Sequence, residues 1–106
     1  MENAIRYAWR QRYGHDEKRR AMEYNRKGEE LFNQGNPAAA ENFFQKSINA
    51  DPGFATAYNN LGVVCINTGR PEQAVYYFKK ALTLNPSDEI TIENVKEALR
   101  LLKNPG

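Results

Sequence analysis

The chain nearly repeats itself at a spacing of 34 residues, and this repeat constrains the fold more than any other feature. Residues 21–54 and 55–88, once aligned, are identical at eleven positions. Seven of these carry structural information: Tyr24, Gly28, Gly35, Pro37, Ala40, Phe44 and Pro52, which return as Tyr58, Gly62, Gly69, Pro71, Ala74, Phe78 and Pro86. A period of about 20 to 50 residues is typical of stacked supersecondary units, each completing the buried face of its neighbour. We therefore expect function on a surface and not in a catalytic pocket.

Helix signals and turn signals alternate within each repeat. From Asp16 to Asn33, apolar and small residues recur at intervals of three and four, which predicts an amphipathic helix with Asp16 as its N-cap. Gly35 and Pro37 predict a stop and a restart, because glycine suits a left-handed C-terminal position and proline suits a first helical turn. A second helix over about 37–50 follows. Similar stop signals recur in residues 51–53, 68–71 and 85–87.

The small residues predict how the helices pair. Gly28 and Gly62 fall where the first helix of each pair can contact the second, facing Ala40 and Ala74. Because glycine has no Cβ, the two helices can approach closely there. Large aromatic side chains are expected to fill the space between helices: Tyr24, Phe44, Tyr58 and Phe78.

This pattern resembles the tetratricopeptide repeat, whose 34-residue signature runs aromatic, Leu-Gly, Tyr, Ala, Phe, Pro. The second copy matches best, through Tyr58, Leu61, Gly62, Ala74, Phe78, Ala81 and Pro86. The first departs at Lys27, Leu31 and Ser47, which favours a partly exposed terminal face. The resemblance implies an all-α fold, a right-handed α-solenoid of antiparallel helix pairs, with repeats at 21–54 and 55–88.

Residues 89–103 predict one further helix, capped by Ser87 or Asp88. Its apolar stripe consists of Ile92, Val95, Leu99 and Leu102. Lys96 stands where the repeats have Gly28 and Gly62, as expected if no partner helix packs there. We interpret this segment as a C-terminal capping helix.

Residues 1–20 form a basic N-terminal arm, with six Lys or Arg against three Asp or Glu. A short helix is predicted from Glu2 to Tyr13, ended by Gly14 and His15. One side of it carries Ile5, Trp9 and Tyr13. This side either packs on the edge of the first repeat or docks on a second molecule to give a homo-oligomer. Contact of the arginines with RNA or DNA is a weaker alternative, since the basic signal is modest.

Nothing in the sequence assembles a catalytic or metal site. His15 is the single histidine and Cys65 the single cysteine, so triads, intramolecular disulfides and multi-cysteine metal sites are excluded within the chain. Cys65 lies on an inward stripe and is expected in the core. No apolar run reaches the roughly 20 residues of a membrane span, and no secretory signal is evident. We expect a cytoplasmic, noncatalytic protein without cofactors.

The resemblance also implies a concave groove lined by the first helix of each repeat, which receives a peptide or helix. Projected on this chain, the groove comprises Met22, Asn25, Glu29, Phe32, Asn33, Thr56, Asn59, Asn60, Val63, Ile66 and Asn67. Its asparagine amides suit the main chain of an extended partner, and its apolar side chains offer anchoring. Alternatively the asparagines bond within turns or between helices, and Asn33 and Asn67, beside the turns, are the strongest cases.

Some relatives bind the acidic C-terminus of heat-shock chaperones through lysines, an arginine and asparagines, and this chain lacks most of that clamp. Asn60 matches one asparagine, but other residues replace the remainder: Asn25 and Ile90 at the lysines, Glu29 at the second asparagine, Asn94 at the arginine. A chaperone tail is therefore disfavoured.

The leading hypothesis is a noncatalytic protein-protein interaction module of unknown partner that binds a peptide or helix or self-associates through its arm. Two alternatives remain: a nucleic-acid-associated protein that uses the arm, and a structural fragment of a longer repeat array.

Overall fold

The chain forms five helices in a computed structural model that describes the backbone of residues 2–104 and the side chains of residues 16–104. The helices are α1 (Glu2–Asn33), α2 (Pro37–Ala50), α3 (Ala55–Asn67), α4 (Pro71–Leu84) and α5 (Glu89–Lys103). No strand occurs in residues 2–104. Because the connections are short, consecutive helices run antiparallel. The structure is thus two helix hairpins, α1/α2 and α3/α4, followed by a single helix.

The turns inside the two hairpins have the same construction. Gly35 and Gly69 adopt positive φ, 81° and 75°, the left-handed conformation that glycine reaches without strain. Gly35 N–H donates to the Phe32 carbonyl at 3.0 Å and Asn36 N–H to that of Leu31 at 2.9 Å. The corresponding bonds recur around Gly69. This is the Schellman arrangement, in which the orphan carbonyls of a helix end are satisfied, and the predicted stop and restart are confirmed.

A glycine and a phenylalanine ring bring the helices of each hairpin together. A Cβ on Gly28 would lie 2.5 Å from Phe44 Cε1, and one on Gly62 would meet the ring of Phe78 as closely. Since real Cβ atoms do not approach so near, each ring fills the space that the missing Cβ leaves. Sequence analysis placed alanines opposite these glycines. Ala40 and Ala74 are indeed fully buried, but the atoms nearest to the glycines belong to the rings.

The core is shared between units rather than confined to one hairpin. One buried cluster, Ala40, Phe44, Leu61 and Val64, joins the first hairpin to the second. The other cluster, Cys65, Ala74, Phe78 and Ala98, joins the second hairpin to α5. Each unit therefore buries apolar surface that it could not cover alone, as in other solenoids.

The first helix differs from the sequence prediction. α1 runs unbroken from Glu2 to Asn33, so Gly14 and His15 do not end a helix and Asp16 is not an N-cap. Glycine in a helix interior costs only about 1 kcal/mol relative to alanine, whereas a break would leave backbone groups without partners at two new helix ends. Asp16 instead pairs with Arg19, one turn further on, at 3.2 Å.

The length of α1 leaves much of it beyond its partner helix. At a rise of about 1.5 Å per residue, α1 is roughly 48 Å long and α2 roughly 21 Å. Ala21 is fully buried, whereas residues 17–20 are exposed. The side chains of Ile5, Trp9, Tyr13 and His15 lie outside the described residues. No helix in the described part of the chain is both long and apolar enough to cross a membrane.

The fifth helix begins as predicted, with Asp88 accepting a hydrogen bond from Ile90 N–H at 3.1 Å. Its buried residues, however, are Thr91 and Ala98, and the predicted stripe is buried only in part. Leu99 is 48% exposed because, among residues 16–104, α5 packs on α3 and α4 and has no partner of its own. Lys96, which stands where the repeats have Gly28 and Gly62, is exposed and pairs with Glu93. This agrees with the expectation that no further helix packs at this position.

Candidate functional site

The first helices of the units, α1, α3 and α5, lie side by side and form one face of the molecule. We call this surface the α1–α3–α5 face. α2 and α4 pack behind it, through the two core clusters. All eleven groove residues predicted from the sequence belong to α1 or α3. The contacts between these helices therefore decide which side chains a partner could reach.

Paired asparagines connect the three helices. Asn60 Nδ2 donates to Asn25 Oδ1 at 2.8 Å, which links α3 to α1. Asn94 Nδ2 donates to Asn59 Oδ1 at 3.0 Å, which links α5 to α3. The second pair repeats the first one 34 residues later in the chain. We call these four residues the asparagine ladder. From the sequence, the asparagines could serve either a partner or the fold. The two bonds show that these four amides link neighbouring helices.

Glu29 is attached to this ladder. Its Oε1 accepts from Asn25 Nδ2 at 3.0 Å and from Asn60 Nδ2 at 3.2 Å, while the residue remains exposed. The nearby cations Arg26 and Lys27 pair with Glu30 instead. Within residues 16–104 no ion pair involves Glu29. The two amides thus hold in position a carboxylate that no described ion pair neutralises.

A cleft of about 230 Å³ opens beside Glu29, between α1 and α3. Its lining comprises Glu29, Phe32, Asn33, Phe44, Asn60 and Val63. Five of these six residues are in the predicted groove. The sequence did not indicate Phe44 as a lining residue, because its recurrence as Phe78 predicts a place in the hairpin core. It is buried there, with only 2% of its surface exposed, and the ring that packs on Gly28 also lines the cleft.

The other predicted groove residues lie around the cleft. Asn25 is only 6% exposed, so it lies beneath the surface as a support for Asn60 and Glu29. Met22 is 60% exposed, Thr56 and Asn67 are exposed, and Ile66 packs in part against the second core cluster. Asn59 is half-buried. Its Oδ1 faces two donors from α5, Asn94 and the Thr91 hydroxyl, the latter at 3.0 Å.

The contribution of α5 to this face was not predicted from the sequence. Thr91 is fully buried and Asn94 is half-buried, and both bond to Asn59. Ile90 is 70% exposed on the same helix. A usable signal was present in the sequence, since Asn25 and Asn60 have the same separation as Asn59 and Asn94. The family resemblance alone marks Asn94 and Ile90 only as positions of a chaperone clamp.

Cys65 is confirmed as a core residue. Its side chain is fully buried, and its Sγ lies 3.8 Å from Gln73 Oε1, to which it donates. Burial raises the pKa of the thiol above its ordinary value, with a smaller opposing effect of Arg70. A thiol in this setting is protonated at neutral pH and is a poor nucleophile. No group of three or more metal-ligating side chains occurs in the described part of the chain.

A second, more open hollow of about 320 Å³ lies at the other side of the first hairpin. Its lining comprises Arg20, Tyr24, Lys46, Asn49 and Ala50. Lys46 Nζ lies 4.7 Å from the ring centroid of Phe43 and 5.9 Å from that of Tyr24. These cation–aromatic contacts keep the ammonium group on the protein surface, so the hollow is a basic edge of the first hairpin.

Stacked helix hairpins that share their cores and align their first helices on one face define an α-solenoid of helix-hairpin repeats. Models of the tetratricopeptide repeat match residues 24–54 and 55–88, which together are more than half of the chain. The chain belongs to the tetratricopeptide repeat family, whose repeats are protein-interaction modules. This confirms the fold class and the family expected from the sequence.

Among the solved structures that are similar to the chain are two domains bound to the same peptide. One is the first TPR of Spaghetti (RPAP3) bound to HSP90 peptide SRMEEVD, with a TM-score of 0.79 and 22% identity, covering 81% of this chain and 70% of that one. The other is the second TPR of Spaghetti (RPAP3) bound to the same peptide, with a TM-score of 0.81 and 20% identity, covering 85% and 83%. At these identities the likeness establishes the fold. The curated proteins contain no match.

Proposed function

We propose that the chain binds a peptide or helix of another protein on the α1–α3–α5 face, without catalysing a reaction. The observation that carries this proposal is the cleft between α1 and α3. Phe32 and Val63 give it apolar walls, and Asn33 and Asn60 give it amides. A concave site that combines apolar anchoring with a few oriented polar groups is the usual form of a recognition site.

The asparagine ladder leaves hydrogen-bonding capacity for a partner. Asn60 uses its amide nitrogen toward Asn25 and Glu29, and no hydrogen bond among residues 16–104 uses its side-chain oxygen. Asn59 uses its oxygen toward α5, and no such bond uses its nitrogen. An acceptor and a donor on neighbouring residues match the alternating N–H and C=O groups of an extended main chain. The ladder thus serves the fold and the proposed site together.

Both Spaghetti (RPAP3) domains named above hold an HSP90 peptide, and we propose a different partner for this chain. The peptide SRMEEVD carries three acidic side chains besides its C-terminal carboxylate. At the positions that would hold cations here stand Asn25, Ile90 and Asn94. The cleft instead contains Glu29 without a cationic partner among residues 16–104. Like charges in a shared cleft repel, so an acidic tail is disfavoured.

A peptide-display selection tests the proposed site. Random linear peptides are selected on the wild-type protein, and the affinity of a selected peptide is then measured for Val63→Ser and for Leu84→Ser. Both changes replace a branched aliphatic residue with serine, but Leu84 lies at the end of α4 and is 40% exposed. We expect Val63→Ser to weaken binding about tenfold or more and Leu84→Ser to leave it unchanged. Equal affinity for both variants would reject the site.

The length of α1 favours a second activity, self-association. α1 has 32 residues and α2 has 14, so α1 extends well beyond the length that α2 can cover. We propose that Ile5, Trp9 and Tyr13 on this part contact a second copy of the chain. Sedimentation of the wild type and Trp9→Ala over a range of concentrations tests this. A dimer that Trp9→Ala shifts toward monomer supports the proposal, and a wild-type monomer at all concentrations rejects it.

A further inference from the structure

We infer that the peptide bound in the cleft presents a lysine or arginine to Glu29. This inference rests on the proposed function and adds the chemistry of the partner. The basis of the inference is the Glu29 carboxylate, which two amides hold in position and which no described ion pair neutralises. Asn25 and Asn60 both donate to one oxygen, Oε1, and no described residue donates to Oε2. The second oxygen is therefore the one that can accept from a ligand.

The charges around the cleft support a cationic ligand. Arg26, one turn before Glu29 on α1, is bonded to Glu30. On α5, Glu93 pairs with Lys96 and Glu97 with Arg100, so these groups offset each other within one helix turn. Hydrogen bonding to Arg100 lowers the pKa of Glu97, which keeps that carboxylate ionised within its pair. Of the six residues that line the cleft, Glu29 is the charged one, so a basic side chain of the partner would complement it.

The shape and lining of the cleft fit the stem of such a side chain. Lysine and arginine carry aliphatic stems that lie on apolar surface while the charged head reaches a polar group. Phe32, Phe44 and Val63 supply the apolar surface, and Glu29 lies on the same cleft. A guanidinium group can also stack on an aromatic face. The volume of about 230 Å³ is below the roughly 300 Å³ at which small-molecule pockets begin, which favours a single long side chain as occupant.

Glu29→Gln is the variant that separates charge from geometry. Glutamine keeps an oxygen that can accept from Asn25 and Asn60, so the ladder and the cleft retain their shape. Glu30→Gln is the matched control, because Glu30 is the adjacent residue of α1 and its carboxylate faces Arg26 and Lys27. Both variants change the net charge by the same amount. A difference between them therefore reports the position of the charge.

The experiment selects random linear peptides separately on the wild type, Glu29→Gln and Glu30→Gln. We expect one peptide position to be enriched in lysine or arginine on the wild type and on Glu30→Gln, and this enrichment to disappear on Glu29→Gln. A selected peptide should bind Glu29→Gln about five- to tenfold more weakly, and its affinity for the wild type should fall as NaCl is added. The peptide SRMEEVD should bind the wild type more weakly than any selected basic peptide.

The possible failures are distinguishable. If peptides bind and Val63→Ser abolishes their binding, but they lack a basic preference or bind Glu29→Gln equally well, the inference is wrong and the proposed site stands. Preferential binding of SRMEEVD would overturn the inference and the proposal that the partner is not an acidic tail, while the proposed site would stand. If no peptide is selected, or if Val63→Ser binds as the wild type does, both the inference and the proposed site are rejected.

Discussion

The two hairpins use the same internal contact but are enclosed to different degrees. In each, a phenylalanine ring packs where a glycine lacks its Cβ, Phe44 on Gly28 and Phe78 on Gly62. α3 is covered by the first hairpin on one side and by α5 on the other, and six of its residues are buried. The described part of α1 contacts α2 and α3 only. The repeat thus sets the packing inside a hairpin, while position in the stack sets how much of it is enclosed.

One substitution illustrates how the first hairpin differs. The second repeat has Ala81 where the first has Ser47, and both residues are buried. The Ser47 hydroxyl donates to the Ala21 carbonyl of α1 at 2.7 Å. The first hairpin, which has fewer neighbouring helices, is therefore held by a hydrogen bond between its two helices as well as by their close packing. Ser47, which departs from the family pattern, was expected on a partly exposed face. It is instead buried, and its hydroxyl has a hydrogen-bond partner.

The largest expected effect is that of Gly62→Leu, at the better enclosed glycine. A Cβ there would overlap the Phe78 ring, which is only 1% exposed and is packed within the second core cluster. We expect a loss of about 3 kcal/mol or more in the free energy of unfolding, measured with urea. Gly53→Ala is the control, since a Cβ on Gly53 would meet only Asp51 Oδ1 at 3.4 Å. Equal stability of the wild type and Gly62→Leu would refute the helix pairing.

Replacing the two rings distinguishes packing from recognition. Phe44→Leu and Phe78→Leu should each cost about 1 to 3 kcal/mol, since the two rings are almost equally buried, at 2% and 1% exposure. Only Phe44 also lines the cleft, so only Phe44→Leu should weaken binding of a selected peptide. Urea unfolding and peptide titration of both variants check this. Equal loss of affinity in the two variants would show that binding follows stability and not the lining of the cleft.

A smaller effect is expected for Ser47→Ala, which gives the first hairpin the residue of the second. The change removes the hydrogen bond to the Ala21 carbonyl, which remains part of the α1 backbone. We therefore expect a loss of about 1 kcal/mol in the free energy of unfolding. Ala81→Ser is the reciprocal variant and tests whether the second hairpin accepts a hydroxyl. If Ser47→Ala were as stable as the wild type, the bond would contribute nothing and the two hairpins would be equivalent at this position.

The smallest effect concerns the ion pair that joins the hairpins. Arg70, at the start of α4, bonds to Glu41 of α2, and the two side chains are 36% and 28% exposed. This hydrogen bond raises the pKa of Arg70, which is charged at any pH used for unfolding. A double-mutant cycle with Arg70→Gln and Glu41→Gln should give a coupling of about 0.5 to 1 kcal/mol that decreases in about 1 M NaCl. A coupling near zero at low salt would show that this ion pair contributes nothing to holding the two hairpins together.

Local signals predicted the hairpins well, because a turn such as Gly35-Asn36-Pro37 is determined by neighbours in the chain. The same kind of signal failed at Gly14, where helix on both sides outweighs the weak preference of one glycine. The interhelix asparagine bonds could not be derived from local patterns, since they join residues 35 positions apart. These residues come together only when the repeats stack in the observed register. In that register Asn25 is buried and bonds to Asn60 and Glu29.

We propose that the partner binds the α1–α3–α5 face and not the surface formed by α2 and α4. The most direct test of this proposal is an NMR titration of isotope-labelled protein with a peptide selected on the wild type. We expect the largest shifts at the amides of Phe32 and Val63 and at the side-chain amide of Asn60, in saturable binding. Shifts confined to α2 and α4, with those three groups unaffected, would contradict the account.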